Sequence, residues 1–102
     1  MDEALGILEV SGCTPAMVAL DTMEKASGVR LFQWELNDAL GVVLKVTGDA
    51  ATVSSAIAAG KDIAEQMGGK PVATIINRPD KRAWGAIDSP PETSALTNHP
   101  VV

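Results

Sequence analysis

The sequence predicts an α/β fold of the α+β kind: a four-stranded antiparallel sheet with two helices on one face, followed by a C-terminal tail. Three observations predict it. Four short runs rich in branched aliphatic residues have strand length, two stretches between them carry apolar residues at helical spacing, and the boundaries hold glycine, proline or a capping side chain. A chain of 102 residues is the size of one small domain, so all six elements must share one core.

Ala4 to Ser11, ALGILEVS, reads as the first strand, broken by Gly12. Thr14-Pro15 reads as a helix start: the threonine hydroxyl can accept from a free amide, and proline at the first helical position loses no hydrogen bond. Ala16, Leu20 and Met23 then recur at helical spacing, Asp21 and Lys25 stand four apart on the wet side, and Gly28 marks the end. Val29 to Glu35, VRLFQWE, and Val42 to Thr47, VVLKVT, are rich in branched and aromatic residues and should pair as antiparallel neighbours. Gly48-Asp49 starts a second helix with Asp49 as its cap. Val53, Ile57, Gly60, Ile63, Ala64 and Met67 form its buried stripe up to Gly68-Gly69. Val72 to Asn77, VATIIN, is the fourth strand, closed by Arg78-Pro79.

Strand, helix, strand, strand, helix, strand is the order of a split β-α-β, ferredoxin-like arrangement. Both helices then cover one face of the sheet, and Glu9, Lys45 and Thr74 or their apolar neighbours occupy the other. The folded domain should span residues 1–79. Residues 80–102, DKRAWGAIDSPPETSALTNHPVV, should form an extension, partly disordered or holding a short helix near Trp84.

Composition narrows the function. The net charge is -5, and the eight basic residues are scattered, which excludes nucleic acid as the main partner because phosphate binding needs a concentrated Lys/Arg field. A lone cysteine, Cys13, excludes an internal disulfide and any cysteine-only metal site. The start MDEALGILEV is acidic with no apolar signal segment, and no run approaches the roughly 18 apolar residues of a membrane span. A soluble protein of the cytosol is expected.

No group of residues has the makings of an active site. His99 lies in a proline-flanked tail without a partner, and Cys13 is expected to be a small buried hydrophobe. Asp62 and Glu65 stand three apart on a helix, a solvated face. Trp34 and Trp84 are expected to pack rather than stack a ligand. Neither GxxxxGK[ST] nor GxGxxG occurs, which leaves no phosphate cradle of the usual kind. No catalytic residue, cofactor or metal is therefore expected, and the alternatives to a structural role are a small ferredoxin-like regulatory ligand-binding module and an acylphosphatase-like hydrolase.

Four blocks in collinear order, EALGILEVSG, LDTMEKAS, VTGD and INRP, resemble the hexamer-forming shell proteins of bacterial microcompartments, the BMC-domain family, from Glu3 to Pro79. The resemblance implies a cyclic homohexamer that tiles edge to edge in a microcompartment shell of the bacterial cytoplasm, with other shell proteins and encapsulated enzymes as partners. It implies that Lys25 and Arg78 lie at the hexamer edge, where they face a neighbouring hexamer. It also implies that the connector between the second and third strands, Leu36, Asn37, Asp38, Ala39, Leu40 and Gly41, surrounds the six-fold axis as a pore. Members of this family commonly have a pore loop rich in glycine and serine, whereas this one carries larger side chains, which should narrow the opening. Depending on which of Asn37, Asp38, Ala39 and Leu40 faces the axis, the pore is acidic, amide-lined or shut; six inward Asp38 carboxylates would repel anions.

Overall fold

The computed structural model describes residues 3–26, 28–37 and 41–79. Within them the order is β1 (Ala4–Ser11), α1 (Cys13–Glu24), β2 (Arg30–Leu36), β3 (Gly41–Gly48), α2 (Ala50–Gln66) and β4 (Val72–Ile76). The sheet runs β2-β3-β1-β4 with every neighbouring pair antiparallel, as the strand-helix alternation predicts.

Helix α2 meets the predicted signals at both ends. The Asp49 carboxylate accepts from the Thr52 amide at 3.0 Å and from its hydroxyl at 2.7 Å. Those bonds favour the charged form and hold the carboxyl below its usual 3.8, the backbone bond from Thr52 contributing most. At the other end Gly68 takes φ 77, while Gly68 N–H donates to Glu65 O at 3.0 Å and Gly69 N–H to Ala64 O at 2.8 Å. This is the paired closure of a left-handed C-terminal stop, a conformation open to glycine without steric cost.

Helix α1 differs from expectation at both ends. Its N-cap is Gly12, at φ 95, and no side chain caps it. The glycine turns the chain so tightly that the helix begins at Cys13, leaving Thr14 and Pro15 inside the first turn rather than Thr14 at the cap. The helix ends at Glu24, before Gly28, because its last turn tightens: Ala26 N–H donates three residues back to Met23 O at 3.0 Å. Cys13, at the first helical position beyond the end of β1, is exposed rather than buried.

Alternation along β1 sorts the two faces. Leu8 and Val10 join Met23, Leu44, Val46, Val53, Ala56 and Ile57 in the buried layer beneath the helices. Small residues let that layer close. A Cβ on Gly6 would lie 2.7 Å from side-chain carbons of Val53 and Ile57, and one on Gly60 would lie 2.7 Å from Met23 Cγ. The register puts Ile7 beside Lys45 and Thr74, and Glu9 beside Val43 and Val72, so Glu9, Lys45 and Thr74 do share the face away from the helices. There Lys45 Nζ donates to Gln33 Oε1 at 2.8 Å.

At the far end of β3, Gly48 passes so close to the α1–β2 link that an added Cβ would stand 2.5 Å from Gly28 O. Backbone at that distance cannot swing aside as a side-chain tip can. Gly48→Ala should therefore cost about 1–3 kcal/mol and lower the thermal midpoint by roughly 4–8 °C per kcal/mol, read by circular dichroism. An unchanged midpoint would contradict the close approach.

Candidate functional site

The β2–β3 connector is held at its stem by one side chain. Asn37 N–H donates to Gly41 O at 2.9 Å, and Gly41 N–H donates back to Asn37 Oδ1 at 2.8 Å. The remaining amide hydrogens turn onto the next strand, where Asn37 Nδ2 donates to Glu9 Oε2 at 2.7 Å. Asn37 thereby closes the loop and fastens it to β1. Gly41 is glycine for a steric reason: a Cβ there would lie 2.6 Å from Asn37 Nδ2 and 2.9 Å from Oδ1.

Of the six connector residues singled out in the sequence, Leu36 ends β2 half exposed, Asn37 is committed to the stem, and Gly41 begins β3 buried. Asp38, Ala39 and Leu40 lie outside the described residues, as do Trp84, His99 and the whole extension 80–102. Glu9 was not singled out for the connector. Its signal was a carboxylate interrupting an otherwise apolar strand, ALGILEVS, at a place where burial demands a partner.

Lys25 and Arg78 lie at the other end of the sheet. The register pairs Ser11 with Gly41 at the connector end, and Ala4 with Gly48 and Leu5 with Ile76 at the opposite end. Helix α1 runs back along the sheet from Cys13, so its C-cap Lys25 returns to the Ala4 end, where β4 also delivers Arg78. Eight residues of β1 separate the two ends by roughly 23 Å at about 3.3 Å per residue. Lys25 Nζ contacts Asp21 Oδ2 at 3.0 Å with both side chains largely exposed, a pairing worth about 0–1 kcal/mol. Arg78 is exposed and takes φ 60, a left-handed conformation that costs a side-chain-bearing residue about 1–2 kcal/mol relative to the ordinary helix.

Both free edges of the sheet carry apolar surface. On β2, Trp34 is 50% and Leu36 53% exposed; on β4, Val72 is 60%, Ile75 37% and Ile76 38% exposed. Trp34, expected to pack, instead stands on the flank of an edge strand, where its helix-side face is incompletely covered. No three histidine, cysteine or carboxylate side chains cluster as a metal site among the described residues. Asp62 accepts from Gln66 at 2.9 Å on an exposed helix face, as expected of a solvated surface, and no described helix is long and apolar enough to cross a membrane.

The BMC domain family model matches residues 4–79. The carboxysome shell protein CsoS1A of Hydrogenovibrio crunogenus is 42% identical over 79 residues, covering 76% of this chain and 82% of the relative. The bacterial microcompartment shell protein PduK of Citrobacter freundii is 39% identical over 80 residues, 78% of this chain and 51% of the relative; the chain thus spans about half the length of PduK. Among solved structures, a microcompartment protein from Desulfitobacterium hafniense DCB superimposes with a TM-score of 0.77 at 26% identity, covering 88% of this chain and 49% of that one.

The stem geometry has a direct consequence. Asn37→Ala removes the acceptor of Gly41 N–H and the donor to Glu9, and should cost about 1–3 kcal/mol. Amide exchange at Gly41 should accelerate while the β1–β4 amides stay protected. Exchange at Gly41 as slow as in the wild type would show that the side chain does not hold the stem.

Proposed function

The chain belongs to the BMC domain family, and from that premise we propose that it is a structural shell protein of a bacterial microcompartment. Six copies close into a ring around the 36–41 connector, and rings meet one another through Lys25 and Arg78. The observation that carries this reading is the placement of the two sets at opposite ends of one sheet. A subunit of a flat ring needs one end at the axis and the other at the rim.

The exposed edges support ring closure. A contact that joins two unlike surfaces generates a closed ring when its rotation divides the circle. Trp34 and Leu36 on β2, facing Val72, Ile75 and Ile76 on β4 of the next copy, provide two such apolar surfaces on opposite sides of the subunit. The shell proteins among its relatives, CsoS1A and PduK, favour a passive tile over an enzyme. Its partners on this reading are further copies, other shell proteins and the enzymes enclosed, in the bacterial cytoplasm.

Arg78 adds an argument of its own. Glycine would sit at φ 60 without the steric cost that arginine bears there, and arginine makes no ion pair among the described residues. A charged side chain without an ion pair among the described residues, at a position where it strains the backbone, supports a contact outside the subunit.

Six repeats of one weak contact suffice to hold a tile in a layer. Lys25→Ala should leave the hexamer intact on analytical ultracentrifugation, change folding stability by no more than about 1 kcal/mol, and abolish sheets in electron micrographs. Arg78→Gly should behave in the same way, with stability equal or raised. Sheets that form normally from both variants would remove the two residues from the rim.

If Asp38 faces the axis, six copies bring carboxylates together, repelling anions and favouring cations. Asp38→Ser should shift ion selectivity of assembled layers toward anions, read as reversal potential across a salt gradient. An unchanged preference would exclude Asp38 from the pore lining.

A further inference from the structure

The two flanks of the sheet carry opposite charges at the same end. On β2, Glu35 pairs with Val43; Val43 pairs with Glu9 on β1, and Glu9 with Val72 on β4. One row across the sheet therefore runs from Glu35 on one edge to Val72 on the other. Lys70 stands two residues before Val72. Ser11 N–H donates to Gly69 O at 2.7 Å, which places the neighbouring lysine at the connector end of the sheet.

Glu35 is partly buried and Lys70 exposed, and neither makes an ion pair among the described residues. Within one subunit they stand apart, because the edges that carry them are separated by three interstrand spacings, roughly 14 Å. Lys70 follows Gly68 and Gly69 and takes φ 48, so the chain carries a cation at a position that a third glycine would occupy with less strain.

Resting on the ring reading above, we propose that Lys70 of each copy meets Glu35 of the next, and that this pair selects which edges join. The apolar flanks alone do not select, since Trp34 and Leu36 on β2 would bury as well against another β2 as against β4. Charge breaks that tie. With the connector ends brought together, β2 against β2 sets Glu35 against Glu35, and β4 against β4 sets Lys70 against Lys70; like charges in an interface suppress the wrong partner. Only β4 against β2 joins unlike charges, and that head-to-tail contact is the kind that closes into a ring.

The test uses the full chain. Glu35→Lys and Lys70→Glu each set like charges together at every contact of a ring, and each should raise the protein concentration needed for half-assembly about tenfold or more on analytical ultracentrifugation. The thermal midpoint of each should stay near that of the wild type, because neither group is ion-paired within the subunit. Mixing the two variants restores unlike charges at every contact of an alternating ring, so hexamers should return, with three copies of each variant by native mass spectrometry. Rings that form as readily from either variant alone as from the wild type, or that do not return on mixing, overturn the pair while the ring reading stands. A wild-type chain that sediments as a monomer overturns both. Should a charge swap unfold the chain, cross-linking decides: the Cys13→Ser chain with Glu35→Cys and Lys70→Cys is treated with a short bis-maleimide. A ladder from dimer to hexamer on a denaturing gel supports the contact, and cross-linking confined to single chains, or none, overturns it.

Discussion

The constraint on which the structure depends is the close seating of α2 on β1. Gly6 lies under Val53 and Ile57, and Gly60 faces Met23 and Leu8, each at a distance that leaves no room for a Cβ. With so little side-chain volume between layers, the buried hydrophobics among the described residues are alanine, valine, leucine, one isoleucine and one methionine. Such a core closes at native density only while both helices stay over the central strands. β1 and β3 are consequently covered, and the edge strands β2 and β4 keep apolar flanks in water.

That division of labour explains how one small subunit serves several contacts. The helix-covered centre provides stability, and on the proposed reading the two edges, the connector and the Ala4 end serve association. The connector is free to change its tip because Asn37 and Gly41 settle its stem: the same amide that closes the hairpin also ties it to Glu9. The stem, anchored on an interior strand, is held at the end of the sheet. On the proposed ring, side chains at the axis would need that fixed starting point, since a displacement in one copy is repeated in all.

The elements were legible because each was over-determined. α2 carried a capping aspartate, a stripe of apolar residues and a double-glycine stop; the cap and the stop agree with its observed bounds, while Met67, predicted to close the buried stripe, is exposed at the C-cap, where the helix has already ended. α1 carried a conflict: Thr14 and Gly12 compete for the cap, and the glycine prevails because its freedom at φ 95 starts the helix two residues earlier than a threonine cap would. Cys13 was misplaced for the same reason, since a residue's burial depends on where its helix begins. Trp34 read as a packing residue because edge and central strands have the same composition, and only the strand order, β2-β3-β1-β4, sets it on a flank. The Asn37–Glu9 bond joins residues 28 apart, and no local pattern announces a long-range polar pair.

The same physics connects the edges to the role. An isolated subunit leaves Trp34, Leu36 and Val72 at least half exposed, and water makes that surface unfavourable in proportion to its area. Pairing unlike edges removes it without demanding symmetry within either patch, and a closed ring leaves no apolar edge unused. In the proposed ring, repetition would amplify what remains at the rim: an exposed lysine and an arginine are too hydrated for a single contact to persist, yet six per ring would act together. On that reading, apolar burial between subunits and weak charged contacts between rings would give a layer whose tiles are stable while its seams remain reversible, which suits a shell assembled from separate pieces.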